Sequence, residues 1–294
     1  MHAIVSYFWS LNEQIMEIHS IETGNFKVDG GAMFGVVPKV LWELLYPADE
    51  HNLCPCACRS MLIKQEDRVI LVDTGIGDKL EADFAKHYHM FGDDTLLKSL
   101  AEQDISPEDV TDVIHTHLHF DHCGGTIGKS ENGDLYPAFP NANLWVSKAQ
   151  WESANEPNLR EKPAFLEENI RPMESSGKLR LVKENTELIP GVELRLFNGH
   201  TTGLMAVTAN TGTRRVVFAG DVMPAMPYIR LPYISAYDVE PLTVLDEKQA
   251  LLKEIEANRD ILFFQHDINT EACSLKQTPK GIREDKTLKI KDLA

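Results

Sequence analysis

No stretch of this 294-residue chain approaches the ~20 consecutive apolar residues of a membrane span, so nothing in it reads as a transmembrane helix. Positive charge is also scarce. Lys and Arg number 29 against 45 Asp and Glu, for a net charge of −16, and no basic cluster stands out. A protein that grips a phosphate backbone shows a basic face, so the balance argues against nucleic acid as a partner. Internal repeats and low-complexity tracts are missing, which sets aside solenoids and disordered chains. The N-terminal Met1–Trp9 stretch has no basic n-region and no small-residue cleavage site, and we read it as structure, not a signal peptide. Cysteine is sparse and odd in number, at five, which points to a reducing compartment and hence a cytoplasmic protein. Three of the five crowd into Cys54-Pro-Cys-Ala-Cys58, without the second half that zinc-finger spacing requires. They read as small buried hydrophobes, with a second metal or redox site as the alternative.

Against these absences stands one dense stretch, Thr116-His-Leu-His-Phe-Asp-His-Cys-Gly-Gly125. It places His117, His119, Asp121 and His122 within six positions. A stable core does not need that density of neutral nitrogen and anionic oxygen donors, whereas a divalent metal does. The pattern echoes downstream, where apolar, strand-like runs end at His200, at Asp221 and at His266. Isolated satisfied histidines would suit one such position, not the whole set, so the chain reads as a metal-dependent enzyme.

The surrounding pattern is of strands and helices interleaved, without a linker, and we expect one domain over residues 1–294. Extended runs are expected at Ile15–Lys27, at Arg59–Lys64 and Arg68–Asp73 as a hairpin, at Val110–His115 and at residues 143–147. Gly30–Gly35 reads as a flexible loop. Helical periodicity marks residues 79–91, 95–104, 148–155, 163–176 and 246–258, the last with Ala250, Leu251 and Ile255 facing the core. Ser106-Pro-Glu-Asp109 carries a capping box and a Pro at the first helical position. In extended backbone His117 and His119 point to one side, and the turn at Asp121-His122 swings the next pair round. Gly124 and Gly125, without a Cβ, let backbone pass close beneath. His115 reads as core or as a group behind the ligands, and His87 and His89 as surface residues in a helix.

His-x-His-x-Asp-His, a later Gly-His, a strand-end Gly-Asp, a final strand-end His and the upstream Asp73-Thr-Gly together resemble the metallo-β-lactamase superfamily. The likeness runs from Leu71 to Asp267. It implies an α+β fold, a four-layered αβ/βα sandwich of two mixed β-sheets flanked by helices, with a dinuclear metal centre between the sheets. It also implies that His117, His119 and His200 hold one metal, that Asp121, His122 and His266 hold the other, and that Asp221 bridges both. Zinc is the first expectation, and the same donors accept manganese, iron or cobalt. Two such ions hold a bridging hydroxide and polarise a substrate oxygen, and a carboxylate such as Asp221 suits a bridge because it has two oxygens. Asp121 would also carry a proton to the leaving group. Asp73 is expected to orient a ligand histidine or, equally, to cap its own turn.

Asp221 stands where zinc β-lactamases carry Cys or Ser. Thr202 and Leu204 depart from the thioester-hydrolase form of the Gly-His segment. What remains is similar to the N-acyl homoserine lactonase and organophosphate hydrolase branch, which shares the Asp29–Gly35 type of loop. The resemblance implies a Tyr after the bridging Asp that binds the carbonyl oxygen, and Tyr228 is the nearest here. Met33 and Phe34, with Met223, Met226 and Tyr233, are expected to wall an apolar substrate pocket, or else to pack the domain. The expected activity is hydrolysis of a lactone or ester carbonyl. Phosphotriester or phosphodiester hydrolysis by the same site, and a non-catalytic metal-binding sensor, are the alternatives. The expected partner is a small molecule, with a homodimer allowed for.

Overall fold

The computed structural model describes residues 16–293, so the expectation for Met1–Trp9 lies outside the described residues. In the first half, β1 (Glu17–Asp29), β2 (Leu53–Gln65), β3 (Arg68–Val72), β4 (Asp112–Ile114), a short pair β5 (Ile127–Lys129) and β6 (Leu135–Pro137), β7 (Asn143–Ser147) and β8 (Leu179–Val182) follow in order. In the second come β9 (Thr186–Ile189), β10 (Val192–Phe197), β11 (Leu204–Asn210), β12 (Arg215–Phe218), β13 (Ile261–Phe263), β14 (Ala272–Thr278) and β15 (Gly281–Leu288). One six-stranded sheet runs β1-β2-β3-β4-β7-β8 and one seven-stranded sheet runs β15-β14-β13-β12-β11-β10-β9. Both are mixed. The first turns parallel from β3 onward, and β12 and β13 form the parallel pair of the second.

Strand alternation builds the layers. Side chains on a strand point to opposite faces in turn. Ile70 and Val72 of β3 therefore join Met61 and Ile63 of β2 and Val216, Phe218, Ile261 and Phe263 of β12 and β13 in a core between the sheets. Leu71 and Leu62 face the other way, into a core with Leu96, Leu100, Ile170 and Met173 from helices of the first half. Val217 and Leu262 face outward to Leu251, Leu252 and Ile255 of the helix Pro241–Asn258. The order is helices, sheet, sheet, helix, as the resemblance implied. Among the described residues no helix is long and apolar enough to cross a membrane.

Several elements differ from the sequence expectations. Gly30–Gly35 is no loose loop. Gly30–Met33 forms a helical turn capped by Asp29, whose Oδ1 accepts from Ala32 N at 3.0 Å while Asn52 Nδ2 donates to its Oδ2 at 2.9 Å. The helix expected over 79–91 shrinks to Ala82–Ala85 because the segment beyond it serves the edge of β1. Asn25 N donates to Phe91 O at 3.2 Å and Lys27 N to Tyr88 O at 2.7 Å. His87 and His89 are exposed, outside that helix, and His89 has φ 42°. The next helix spans only Leu96–Ala101, and residues 163–176 split into a Lys162–Ala164 turn and a helix at Glu167–Ser175. The last helix starts five residues earlier than expected, at Pro241, where a missing N–H costs nothing. Ala250 is exposed on it, and Lys248 is buried in its place.

β10, β12 and β13 run in one direction, so their C-terminal ends share one edge of the second sheet. His200, Asp221 and His266 follow those ends by three residues each. β4 delivers His117–His122 from the first sheet, and Met205 N donates to Thr116 O at 2.7 Å, tying the two edges together.

Candidate metal centre

The centre begins with a turn. Asp73, just past β3, is buried with φ 60°. Its Oδ1 accepts from Thr116 N at 2.7 Å, its Oδ2 accepts from Thr116 Oγ1 at 2.7 Å, and Oδ2 stands 3.0 Å from His122 Nδ1. The following turn passes so close to the histidine segment that a Cβ on Gly124 would stand 1.9 Å from Ile76 O. Only glycine fits there. His115 turns away from the centre. Its Nε2 lies 2.7 Å from Thr126 Oγ1, and burial pushes its ring down to about 4, so it stays neutral.

All seven expected donors come together in two overlapping groups. His119 Nδ1 lies 3.1 Å from His117 Nε2 and 3.4 Å from His200 Nε2. His122 Nε2 lies 3.2 Å from His266 Nε2, and Asp121 Oδ2 lies 3.7 Å from each. Between the groups, Asp221 sends Oδ2 to 3.3 Å from His200 Nε2 and 3.5 Å from His122 Nε2, and Oδ1 to 3.3 Å from His266 Nε2. Four donors at ~2.0–2.1 Å from one tetrahedral ion stand about 3.3–3.4 Å apart. The observed spacings match that separation. Packing five ring nitrogens against each other and two carboxylates is otherwise poor chemistry, because most have no proton to share. Asp221 Oδ1 is buried without a hydrogen-bond partner, an arrangement a cation would satisfy. These side chains therefore fit divalent ions, and the three donor groups His117/His119/His200, His117/His122/Asp221 and Asp121/His122/His266 could each hold one.

Behind the donors, the other ring nitrogens are backed by acceptors. His200 Nδ1 lies 2.8 Å from Asp238 Oδ1, His266 Nδ1 lies 2.8 Å from Ala57 O, and His119 Nε2 stands 3.4 Å from Glu161 Oε1. Such backing fixes the tautomer and the ring plane and raises the basicity of the facing nitrogen. Glu161 and Asp238 were not singled out from sequence, because each lies in a loop with no motif around it. Charge follows the same layout. Burial holds the His117 ring well below its usual range. For His122 burial acts the same way but is outweighed by Asp221 and Asp121, which raise it well above. Burial would raise Asp221, yet His122, His266 and His200 around it hold it well below the carboxylate range. The carboxylates demand positive charge at this point.

The cysteine cluster belongs to the wall. Cys54, Cys56 and Cys58 are buried free thiols of β2, and burial pushes Cys56 and Cys58 well above the usual thiol range. Among the described residues no cysteine joins a group of metal-competent side chains. The strand instead holds the loop that carries His266, since Ala57 N donates to His266 O at 3.1 Å and Arg59 N to Gln265 O at 3.2 Å.

Two adjoining cavities open on the donors. The outer, of about 300 Å³, is lined by Phe26, Val28, Tyr88, Phe120, Pro163, Ala164, Arg160, Glu161 and Tyr237, with His119, Asp121, His200 and Asp221 at its floor. The inner, of about 60 Å³, reaches Met33, Cys56, Pro224, Tyr228, Ser235 and His266. Of the expected pocket residues, Met33 and Tyr228 line the inner cavity, and the Tyr228 hydroxyl donates to Met33 O. Phe34, Met223, Met226 and Tyr233 line neither. Phe34 is fully buried, stacked on Trp42 at 5.1 Å and edge-on to Tyr233 at 6.2 Å, and Met223 is buried in the same core. Met226 packs against that core, its N–H donating to Asp267 Oδ2 at 2.9 Å. Tyr237, passed over in the sequence, lines both cavities. Its phenol is a protonated donor at neutral pH, as a tyrosine in its ordinary range already is.

Comparison with known proteins agrees with this geometry. The family described as "Metallo-beta-lactamase superfamily" matches residues 55–266. An N-acyl homoserine lactonase of Bacillus cereus is 28% identical over 240 residues, covering 77% of this chain and 86% of that protein. The crystal structure of a probable metal-dependent hydrolase from Staphylococcus aureus superposes with a TM-score of 0.85 at 29% identity, covering 94% of this chain and 99% of that one. A dizinc quorum-quenching lactonase, AidC, solved with a bound product, shares the fold at a TM-score of 0.74 and 18% identity, over 93% and 95% of the two chains.

Proposed function

The chain belongs to the metallo-beta-lactamase superfamily and is a metal-dependent hydrolase, and within that class we propose that it opens a lactone or ester carbonyl at a centre of two divalent ions, zinc foremost. One ion would sit among His117, His119 and His200, the other among Asp121, His122 and His266, with one Asp221 oxygen toward each. That candidate donors come from both halves supports reading the chain as one domain. The five reduced thiols accord with a cytoplasmic protein.

When bound, such a pair supplies a water acidified to near neutrality and a Lewis-acid pull on the carbonyl oxygen. The chain's own residues do the rest. Asp121 lines both cavities with a partly open side chain, so it can take up the proton lost by the attacking water and return it to the leaving alkoxide. Tyr237 supplies a hydroxyl donor at the junction of the two cavities, the role expected of Tyr228. Tyr228 positions the wall, because its own hydroxyl is committed to Met33 O. The apolar outer cavity excludes water and accepts the remainder of the substrate.

The observation that carries this reading is Asp221, whose carboxylate lies between the two donor groups, within 3.5 Å of His200, His122 and His266, beneath an apolar cavity. The test is turnover of short- and long-chain acyl lactones, with an aryl phosphotriester as comparator, on protein of measured metal content. Lactone opening that disappears in His117→Ala and Asp221→Ala, with about two metals per chain, is the expected result. Phosphotriester turnover without lactone turnover would overturn it.

A further inference from the structure

The cavity above the metal centre is apolar except at one side, where Arg160 and Glu161 emerge from the same turn. Asn158 builds that turn, its Oδ1 accepting from Arg160 N at 2.9 Å and from Glu161 N at 3.0 Å while its Nδ2 donates to Glu161 Oε2. Glu161 is directed to His119. Arg160 is directed across the cavity rim, where Nη2 donates to Ala236 O and, at 2.9 Å, to Asp238 O. Both acceptors are backbone carbonyls, so they fix the guanidinium plane without neutralising its charge. Among the described residues Arg160 forms no ion pair, and its Nε and Nη1 have no protein acceptor. Among the described residues Arg160 is the sole Lys or Arg lining either cavity over the donors.

We infer that Arg160 selects substrates carrying a carboxylate remote from the reacting carbonyl, with an apolar spacer lying across Phe26, Val28 and Phe120. This rests on the hydrolase reading above and names its substrate class more narrowly. A neutral acyl tail would fill the apolar cavity equally well but would leave an oriented, unpaired guanidinium at its rim. A carboxylate supplies the missing anion through a charge-assisted hydrogen bond. The neighbouring acids do not satisfy Arg160: one Glu161 oxygen accepts from Asn158 and the other stands 3.4 Å from His119 Nε2, while Asp121 and Asp221 face the donor histidines.

The experiment compares phenyl butyrate with monophenyl glutarate, which adds only a terminal carboxylate, on the metal-loaded wild type, Arg160→Met and Arg160→Lys. The wild type should favour the carboxylate ester by about tenfold or more in kcat/KM, mainly through KM, as expected for a charge-assisted contact at a partly solvated rim. The ratio should collapse toward unity in R160M and recover in part in R160K. A residue that merely clamps the Ala236–Asp238 backbone would lower both substrates alike and leave the ratio unchanged, which would overturn the inference. So would a wild type that prefers the neutral ester. Glutarate binding by calorimetry reads the site without turnover. If glutarate binds in an Arg160-dependent way and neither ester is cleaved, the anion subsite stands and the reaction assignment falls. Absence of Arg160-dependent binding, with the neutral ester cleaved, gives the reverse.

Discussion

Three histidines of the centre have a carboxylate behind them, Asp73, Glu161 and Asp238, a fourth has a backbone carbonyl, and each of these supports is measurable one residue at a time. Replacing the partner behind a metal-binding imidazole characteristically costs 10–100-fold in metal affinity. Glu161→Gln and Asp238→Asn should therefore each weaken retention of an ion by about that factor, read by competition with a chromogenic chelator. Asp221→Ala should do more, dropping metal content well below two per chain in elemental analysis, because its oxygens face both donor groups. The clustering of these seven side chains was readable beforehand, because a metal would demand particular atoms at short spacing and few other needs produce that pattern. Glu161 and Asp238 were not, since a carboxylate in a loop looks the same whether it backs a ligand or meets solvent. Phe34 and Met223 show the converse failure. Their type says that they are apolar, and only the fold decides whether they face a cavity or a core.

At the scale of elements, strands announced themselves better than helices. β7 and the helix after it fall where periodicity put them, since the helix is capped by its own Ser147, whose Oγ accepts from Gln150 N at 2.9 Å. Residues 79–91 misled because their carbonyls answer N–H groups of β1, a debt no local pattern records. The helix Pro241–Asn258 hides a second surprise in Lys248. Its Nζ donates to Tyr233 O at 2.6 Å and to Arg230 O at 3.4 Å, anchoring the segment that leads to Tyr237 and Asp238. Burial pushes this amine down to about 7, with Asp238 acting weakly the other way. The folded state thus gives up the proton near pH 7, whereas the unfolded chain keeps it to about 10.4. Between those values the unfolded state binds more protons, so the Lys248 contribution to stability rises with pH across that window. Below pH 7 both states are protonated, and the burial penalty stands in full. Melting curves of wild type and Lys248→Met should show a difference in Tm that shifts in favour of the wild type from pH 7 to 10. A constant difference would dismiss the argument.

For the whole molecule, two sheets share one core, and ions shared between their edges should act as a clamp. Phe218, fully buried between the sheets against Phe263, tests the core, and Phe218→Ala should cost about 3–5 kcal/mol in urea unfolding. Chelation tests the clamp. Ions at a hundredfold excess over their dissociation constant add about 2.7 kcal/mol by mass action, so removing them should lower Tm by roughly 5 °C or more. The layered architecture and a centre between the sheets were implied by the family resemblance, whereas the sheet order that produces the meeting of strand ends at one rim comes from the fold alone. That meeting also has a consequence for biosynthesis. His117, His119, Asp121 and His122 leave the ribosome early, and Asp221 and His266 only after roughly a hundred and a hundred and fifty more residues. A chain stopped before His200 completes neither donor group, and one stopped before His266 still lacks the second, so a two-ion centre would be finished only late in synthesis and shorter translation products would lack it.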